Sequence, residues 1–218
     1  MSRHDPLLFR QLFDARRSAL TYVLADRQAG RALLIDPLPD DRVLLAALLH
    51  EQGLRLQAVL HTHRHLNDPE RARFPLEPFG SEAIRLQLGR PGEVATDSRD
   101  HLLHDSEQIR FGQETLTVIA TPGHTPCSAS FLWRDRLFCG DALHLGGCPP
   151  CGDPGSDAGA MYDSVTTRLF TLPGETLVFP GHDLEGRTVS TIGEERRRNH
   201  AFAGRSRESF VNALLESA

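Results

Sequence analysis

Lysine is absent from this chain of 218 residues, and all 24 basic side chains are Arg. Schiff-base chemistry through a side-chain amine is therefore excluded. Long apolar runs are absent too: no stretch approaches the roughly 18 residues that a membrane-spanning helix needs. The opening residues, MSRHDPLLFRQLFD, lack an apolar run followed by a small-residue cleavage site, so no secretory leader is expected and a cytoplasmic location is favoured. Positive charge is in deficit, at a net -5, which leaves no basic field for nucleic acid. Cysteine is scarce, and four in an acidic chain do not demand disulfides. No linker, repeat or charge block divides the chain, and 39% hydrophobic content is enough to bury a core, so one domain over 1–218 is expected.

The apolar residues that are present fall into short runs. Leu20 to Leu24, Ala32 to Ile35, Ala58 to His61, Ile109 to Phe111, Leu116 to Ile119, Ala129 to Trp133, Leu137 to Cys139 and Leu177 to Phe179 read as strands. A helix capped by Asp40 or Asp41 runs to about Gln52, with Val43, Leu44, Ala47 and Leu48 inward and Gly53 ending it. A second covers about Tyr162 to Phe170. A third begins near Ser206 and buries Phe210, Val211, Leu214 and Leu215. The HLLHD stretch at His101 to Asp105 reads as an exposed loop. Strands and helices in this order suit an α/β fold in layers.

Metal-ligand residue types recur where these strands run out into turns. His63 and His65 lie in HTHRH, His124 in ATPGHTP, Asp141 in FCGD and His182 in FPGHD. Neutral imidazole and carboxylate suit Zn, Fe and Mn, and three or four of them around an open position make a catalytic site. The remaining histidines, His144 and His200 among them, have no motif around them and read as solvent-facing, and His61 reads as structural.

The order of these turns, with His124 61 residues after His63, Asp141 17 further on and His182 another 41 on, resembles the metallo-β-lactamase fold superfamily. Within it the chain is similar to the persulfide dioxygenases, relatives of the glyoxalase II hydrolases. FRQLFD, TYVLAD, LLIDP, ATPGHTP, FCGDAL and the long MYDSVTTRLFTLPGETLVFPGHDLEGRTVSTIGEERRRN carry that likeness. The resemblance implies a four-layer αββα sandwich. It also implies a mononuclear Fe(II) site, one iron per chain, on His63, His124 and Asp141, with Zn(II) as the alternative ion. His65 is left open as a further ligand, because related mononuclear sites do not always use it. Two His and one carboxylate leave a face on which O2 and a thiol persulfide meet. The implied reaction oxidises glutathione persulfide, or a related persulfide, to sulfite and thiol, with no catalytic side chain beyond the metal centre. The family often forms homodimers, but no exposed apolar stripe here argues for one.

The chain also departs from the pattern. Where the superfamily reads HxHxDH, Asn67 and Asp68 replace the Asp and the final His, which puts a second metal in doubt and weighs against a zinc hydrolase of the glyoxalase II kind. His182 is then expected to orient a ligand or substrate. The family's Gly-Cys-Gly-Arg-Thr-Asp loop reads Gly147, Cys148, Pro149, Pro150, Cys151, Gly152, so Cys148 is kept and the Arg is lost. Leu184 replaces the Tyr that usually follows GHD. These losses support a further alternative, a diverged sulfur-relay or binding protein. Cys148 and Cys151 form a CxxC, read either as a redox or sulfur-accepting pair or, more plainly, as the inherited pocket Cys beside an incidental one; without a thioredoxin-like context the plainer reading is preferred. The run Glu194 to Arg198 reads as a solvated helix face, although the resemblance implies that this stretch helps to line the glutathione side of the cleft, with Arg187 or Arg197 in contact.

Overall fold

The computed structural model describes residues 5–64, 74–89, 93–95, 97–152, 154–184 and 186–216. The first sheet runs in chain order, β1 (Leu7–Asp14), β2 (Ala19–Asp26), β3 (Arg31–Ile35), β4 (Arg55–His61), β5 (Ile84–Leu88) and β6 (Asp100–Leu103), with helix α1 (Arg42–Glu51) between β3 and β4. β1 to β3 pair antiparallel, and β3 to β6 pair parallel. The second sheet contains β7 (Gln108–Phe111), β8 (Glu114–Ala120), β9 (Ala129–Trp133), β10 (Arg136–Gly140), β11 (Leu177–Pro180) and β12 (Ser190–Thr191). Its one parallel pair is β10 with β11. Three further helices are α2 (Ala158–Ser164), α3 (Ile192–Arg198) and α4 (Arg207–Glu216).

The period-2 alternation of side chains along a strand explains the layering. In β2, Leu20, Tyr22 and Leu24 face the second sheet, while Val23 and Ala25 face Leu45 and Leu49 of α1. Every residue of β2 is buried, because both of its faces are covered. The outer face of the second sheet is closed by Met161, Val165, Ile192, Phe202 and Phe210 from α2 to α4 and their neighbours. The result is the expected αββα order. Burying a large apolar side chain is worth about 1.5–3 kcal/mol, against roughly 0–1 for a surface ion pair. The inter-sheet layer therefore sets the register.

Several elements differ from the sequence reading. The inward face of α1 is Leu45 and Leu49, whereas Val43 and Leu44 are 67% and 58% exposed and Ala47 also faces out. A run as apolar as VLLAALL has no unique stripe, so packing rather than periodicity selects the face. The second helix starts earlier, at Ala158, because the Asp157 side chain accepts the Ala160 N–H at 2.9 Å and caps it. It ends in a π turn, Val165–Leu169, before Phe170. In α4 only Phe210 is buried, and Leu215 is 70% exposed. His101 to Leu103 is not loop but part of the edge strand β6, paired parallel to β5.

Glu114, at the start of β8, joins this framework electrostatically. Its carboxylate accepts from Trp133 Nε1 at 2.9 Å and from Arg134 Nε and Nη2 at 2.6 and 2.7 Å. The Arg134 guanidinium, helped by the indole N–H and opposed by burial, holds Glu114 below its ordinary value. A depressed folded value means stability that is fully present above the unfolded pKa of about 4.3 and is lost as pH falls through the folded value. Urea midpoints are thus expected to drop on acidification below about pH 4.3, and Glu114→Gln is expected to flatten that part of the profile. An identical acid limb in both proteins would refute the assignment.

Candidate metal centre

The site lies where both sheets end on the same side. His63 follows β4 of the first sheet, while His124, Asp141 and His182 follow β8, β10 and β11 of the second. Hydrogen bonds clamp the two together: Ala129 N–H donates to Thr62 O at 2.7 Å, Leu20 N–H to Gly181 O at 2.9 Å, and the Tyr22 hydroxyl to Pro180 O at 2.5 Å. Gly181 of the GH motif is needed for close approach, since a Cβ there would stand 2.5 Å from Asp141 Oδ1.

One ligand atom each of His63, His124 and Asp141 comes within 4.8 Å of the others. Nε2 of His63 and Nε2 of His124 each lie 3.7 Å from Asp141 Oδ2. Two donors on one ion at bond lengths of about 2.0–2.1 Å stand at most about 4.2 Å apart, and each imidazole meets that limit against the Asp141 carboxylate. All three side chains are less than a tenth exposed. Their tautomers are set by outer partners. The Pro150 carbonyl, which can only accept, lies 2.9 Å from His124 Nδ1, so that nitrogen carries the proton and Nε2 presents its lone pair. Thr62 Oγ1 gives its one proton to Asp36 Oδ2 at 2.6 Å and therefore accepts from His63 Nδ1 at 3.0 Å. Burial alone would push the Asp141 carboxyl up, but the surrounding imidazoles of His63, His144 and His182 hold it well below the usual carboxylate range. A carboxylate kept ionised in a dry site is a ready cation ligand.

His182 donates from Nδ1 to Asp141 Oδ1 at 2.9 Å. His65, Asn67 and Asp68 lie outside the described residues. His144, read as solvent-facing, is instead 12% exposed in its side chain, with Nε2 3.7 Å from Asp141 Oδ1. The available signal was its position three residues beyond Asp141 in the same turn. Asp36 and Thr62 were missed because nothing in their own motif marks an outer partner.

A cavity of about 240 Å³ adjoins the site, lined by His144, Leu145, Gly147, Cys148, His182, Leu184, Arg187 and His200. Arg187 reaches it and is held by Glu194 Oε1 at 3.1 Å, whereas Arg197 is exposed on α3 and does not line it. The charge run is not wholly a solvated face. Glu195 is 1% exposed and accepts from Gly146 N–H and Asn199 Nδ2, and that same amide nitrogen donates to the His144 and Gly147 carbonyls. The segment anchors the loop behind the cavity. Burial raises the thiols of both Cys148 and Cys151. That direction opposes the thiolate a redox or sulfur-accepting pair needs, which favours the plainer reading of the CxxC.

Among the described residues no helix is long and apolar enough to cross a membrane. The metallo-β-lactamase superfamily profile matches residues 67–182. The human mitochondrial persulfide dioxygenase ETHE1 is 38% identical over 217 residues, covering 96% of this chain and 81% of that protein. The crystal structure of ETHE1 from Myxococcus xanthus superposes with a TM-score of 0.84 at 37% identity, covering 96% of this chain and 91% of the other. A hydroxyacylglutathione hydrolase of Anaeromyxobacter dehalogenans is 34% identical over 175 residues, covering 79% of this chain and 65% of that protein.

Proposed function

The chain belongs to the metallo-β-lactamase superfamily and, within it, to the persulfide dioxygenase family of enzymes, and on that premise we propose that it is a mononuclear non-haem iron dioxygenase converting a thiol persulfide, glutathione persulfide in the first instance, to sulfite and thiol. The observation that carries this reading is the meeting of two imidazoles and one carboxylate at 3.7 Å, both imidazoles with their Nδ1 protons committed elsewhere. An Fe(II) held by His63, His124 and Asp141 would supply reactivity toward O2, which no side chain of the chain offers.

The chain's own residues bind and orient. Thr62 and the Pro150 carbonyl keep both Nε2 lone pairs directed at the centre. Arg187 at the cavity offers a guanidinium to a carboxylate of the thiol carrier, in place of the Arg that Pro150 displaces. Leu145 and Leu184 give the cavity an apolar wall suited to sulfur. The overall change takes one persulfide, one O2 and one water to one thiol and one sulfurous acid, ionised to sulfite at neutral pH. The sulfane sulfur loses four electrons, O2 gains them, and the S–S bond breaks.

The test is elemental analysis of protein purified without added metal, with an oxygen electrode and a sulfite assay on glutathione persulfide. About one iron per chain with matched O2 uptake and sulfite release is expected; iron-loaded protein without either would sink the proposal. Likeness to the hydroxyacylglutathione hydrolase and a second donor group of Asp141, His144 and His182 favour a second reading, a thioester hydrolase with two zinc ions. That reading calls for turnover of S-lactoylglutathione without O2 uptake.

A further inference from the structure

One wall of the cavity is held from behind by a buried amide. The turn from His144 to Gly147 is closed by the Gly147 N–H, which donates to the His144 carbonyl at 3.2 Å. It gives His144, Leu145 and Gly147 to the cavity, and Cys148 follows. Nδ2 of Asn199 donates to the His144 carbonyl at 3.1 Å, to the Gly147 carbonyl at 2.9 Å and to Glu195 Oε2 at 2.9 Å, so its N–H groups are shared among three acceptors. Glu195 Oε2 also accepts from the Gly146 N–H at 2.8 Å. Asn199 is 0% exposed and Glu195 1%. We propose that Asn199 is a positioning residue: with Glu195 it fixes the wall from His144 to Cys148 and thereby sets the affinity of the cavity for the thiol carrier, while the metal donors are held elsewhere. The proposal rests on the reading of the cavity as the carrier's site.

The residue type matters because a primary amide combines two N–H donors and an acceptor on one short stem. The acceptor is used as well, since Asn199 Oδ1 takes the Ala201 N–H at 3.0 Å. The backbone of Asn199 is fixed independently of the turn. Its N–H donates to the Glu195 carbonyl at 2.9 Å, and its own carbonyl accepts from Phe202 and Ala203 at 3.1 and 2.8 Å. The amide is thus the anchor and the turn is what it holds. Gly146, at φ +76, and Gly147 have no side chains with which to pack the turn in place. The metal donors have other supports. Asp141 follows β10, whose end is tied to β11 by the Gly181 N–H donating to Gly140 O at 3.0 Å, and His63 and His124 lie on separate turns. A change at Asn199 therefore loosens the cavity wall and leaves the three ligands on their strand ends.

The test uses the full chain as purified. Asn199→Asp keeps the shape and the Oδ1 acceptor but loses the donors, and Asn199→Ala loses them without adding a charge. Alkylation of each thiol by iodoacetamide, read by mass spectrometry, reports on the wall with no substrate present. Cys148 lines the cavity, whereas Cys127 and Cys139 are buried. Both Asn199 variants are expected to react at Cys148 about tenfold faster than wild type, with Cys127 and Cys139 unchanged. Glu195→Gln keeps an acceptor for Gly146 and Asn199 and is expected to stay within about threefold of wild type. In the oxygen-electrode assay the KM for glutathione persulfide is expected to rise about tenfold in the Asn199 variants, while kcat and iron content hold. Unchanged reactivity of Cys148 would overturn the positioning role. Faster alkylation of Cys127 and Cys139 alongside it would do so too, by showing a general loosening of the fold. A freed wall with unchanged KM, or with loss of iron, would overturn the link to carrier affinity. Wild type that consumes no O2 would count against the dioxygenase reading; the alkylation rates would still decide what Asn199 holds, and calorimetric titration with glutathione would take the place of KM.

Discussion

Alanine at position 124 is expected to abolish persulfide-dependent O2 uptake and to empty the first cation site. His124 is 3% exposed, and its Nε2 is one of three donors meeting at Asp141. Loss of an outer hydrogen-bond partner alone weakens metal binding about 10–100-fold, and removing a donor outright exceeds that. The hole left by the ring admits water but no third protein donor, since Pro150 offers a carbonyl already turned toward the former Nδ1. Elemental analysis and the oxygen electrode read the two consequences together. Retained iron with lost turnover would make His124 an orienting group rather than a ligand, and normal turnover would remove it from the site.

Gly140→Ala is expected to be the most damaging substitution outside the ligands. Gly140 has φ +51, and a Cβ there would fall 2.1 Å from Thr62 Oγ1. Thr62 cannot retreat, because its N–H and hydroxyl both bond Asp36 and its carbonyl accepts from Ala129 N–H at 2.7 Å. The clash falls between the strand end that bears Asp141 and the turn that bears His63, so stability and metal affinity suffer together. We expect a loss of about 2–4 kcal/mol in urea unfolding. Gly53→Ala is the control: it has φ +65 with nothing within 4 Å of the added methyl. It is expected to lose about 1 kcal/mol, the left-handed backbone penalty by itself. Equal losses at the two positions would show that Thr62 yields and that the strand ends are not locked.

What was legible early was what repeats or stands in a motif. The apolar runs of β2, β3, β4, β8, β9, β10 and β11 were visible because buried strands leave nearly continuous hydrophobic segments. So was the edge strand β7, read from Ile109 to Phe111, but other edge strands were not. β6 carries the sequence DHLL, with His101 exposed, and β12 has two residues, so neither has enough apolar length to declare itself. The helix capped by Asp157 began in a Gly-rich stretch that reads as loop, and only the cap geometry shows where it starts.

The residue types and turns of the centre were determined by the sequence itself: His63, His124, Asp141 and His182 each stand in a short motif after an apolar run, because a ligand must project from a rigid strand end. The absence of Lys and the loss of the usual second-site donors at Asn67 and Asp68 were equally a matter of sequence. Tertiary structure decided everything that depends on distance across the chain. It brought a turn of the first sheet against three turns of the second, supplied Asp36, Thr62 and the Pro150 carbonyl as outer partners, and drew His144 from an expected surface position to Asp141. The reason is that a lone histidine carries no periodicity: its environment is set by the loop around it, and here that loop is held in place by Glu195 and Asn199, about fifty residues away in sequence.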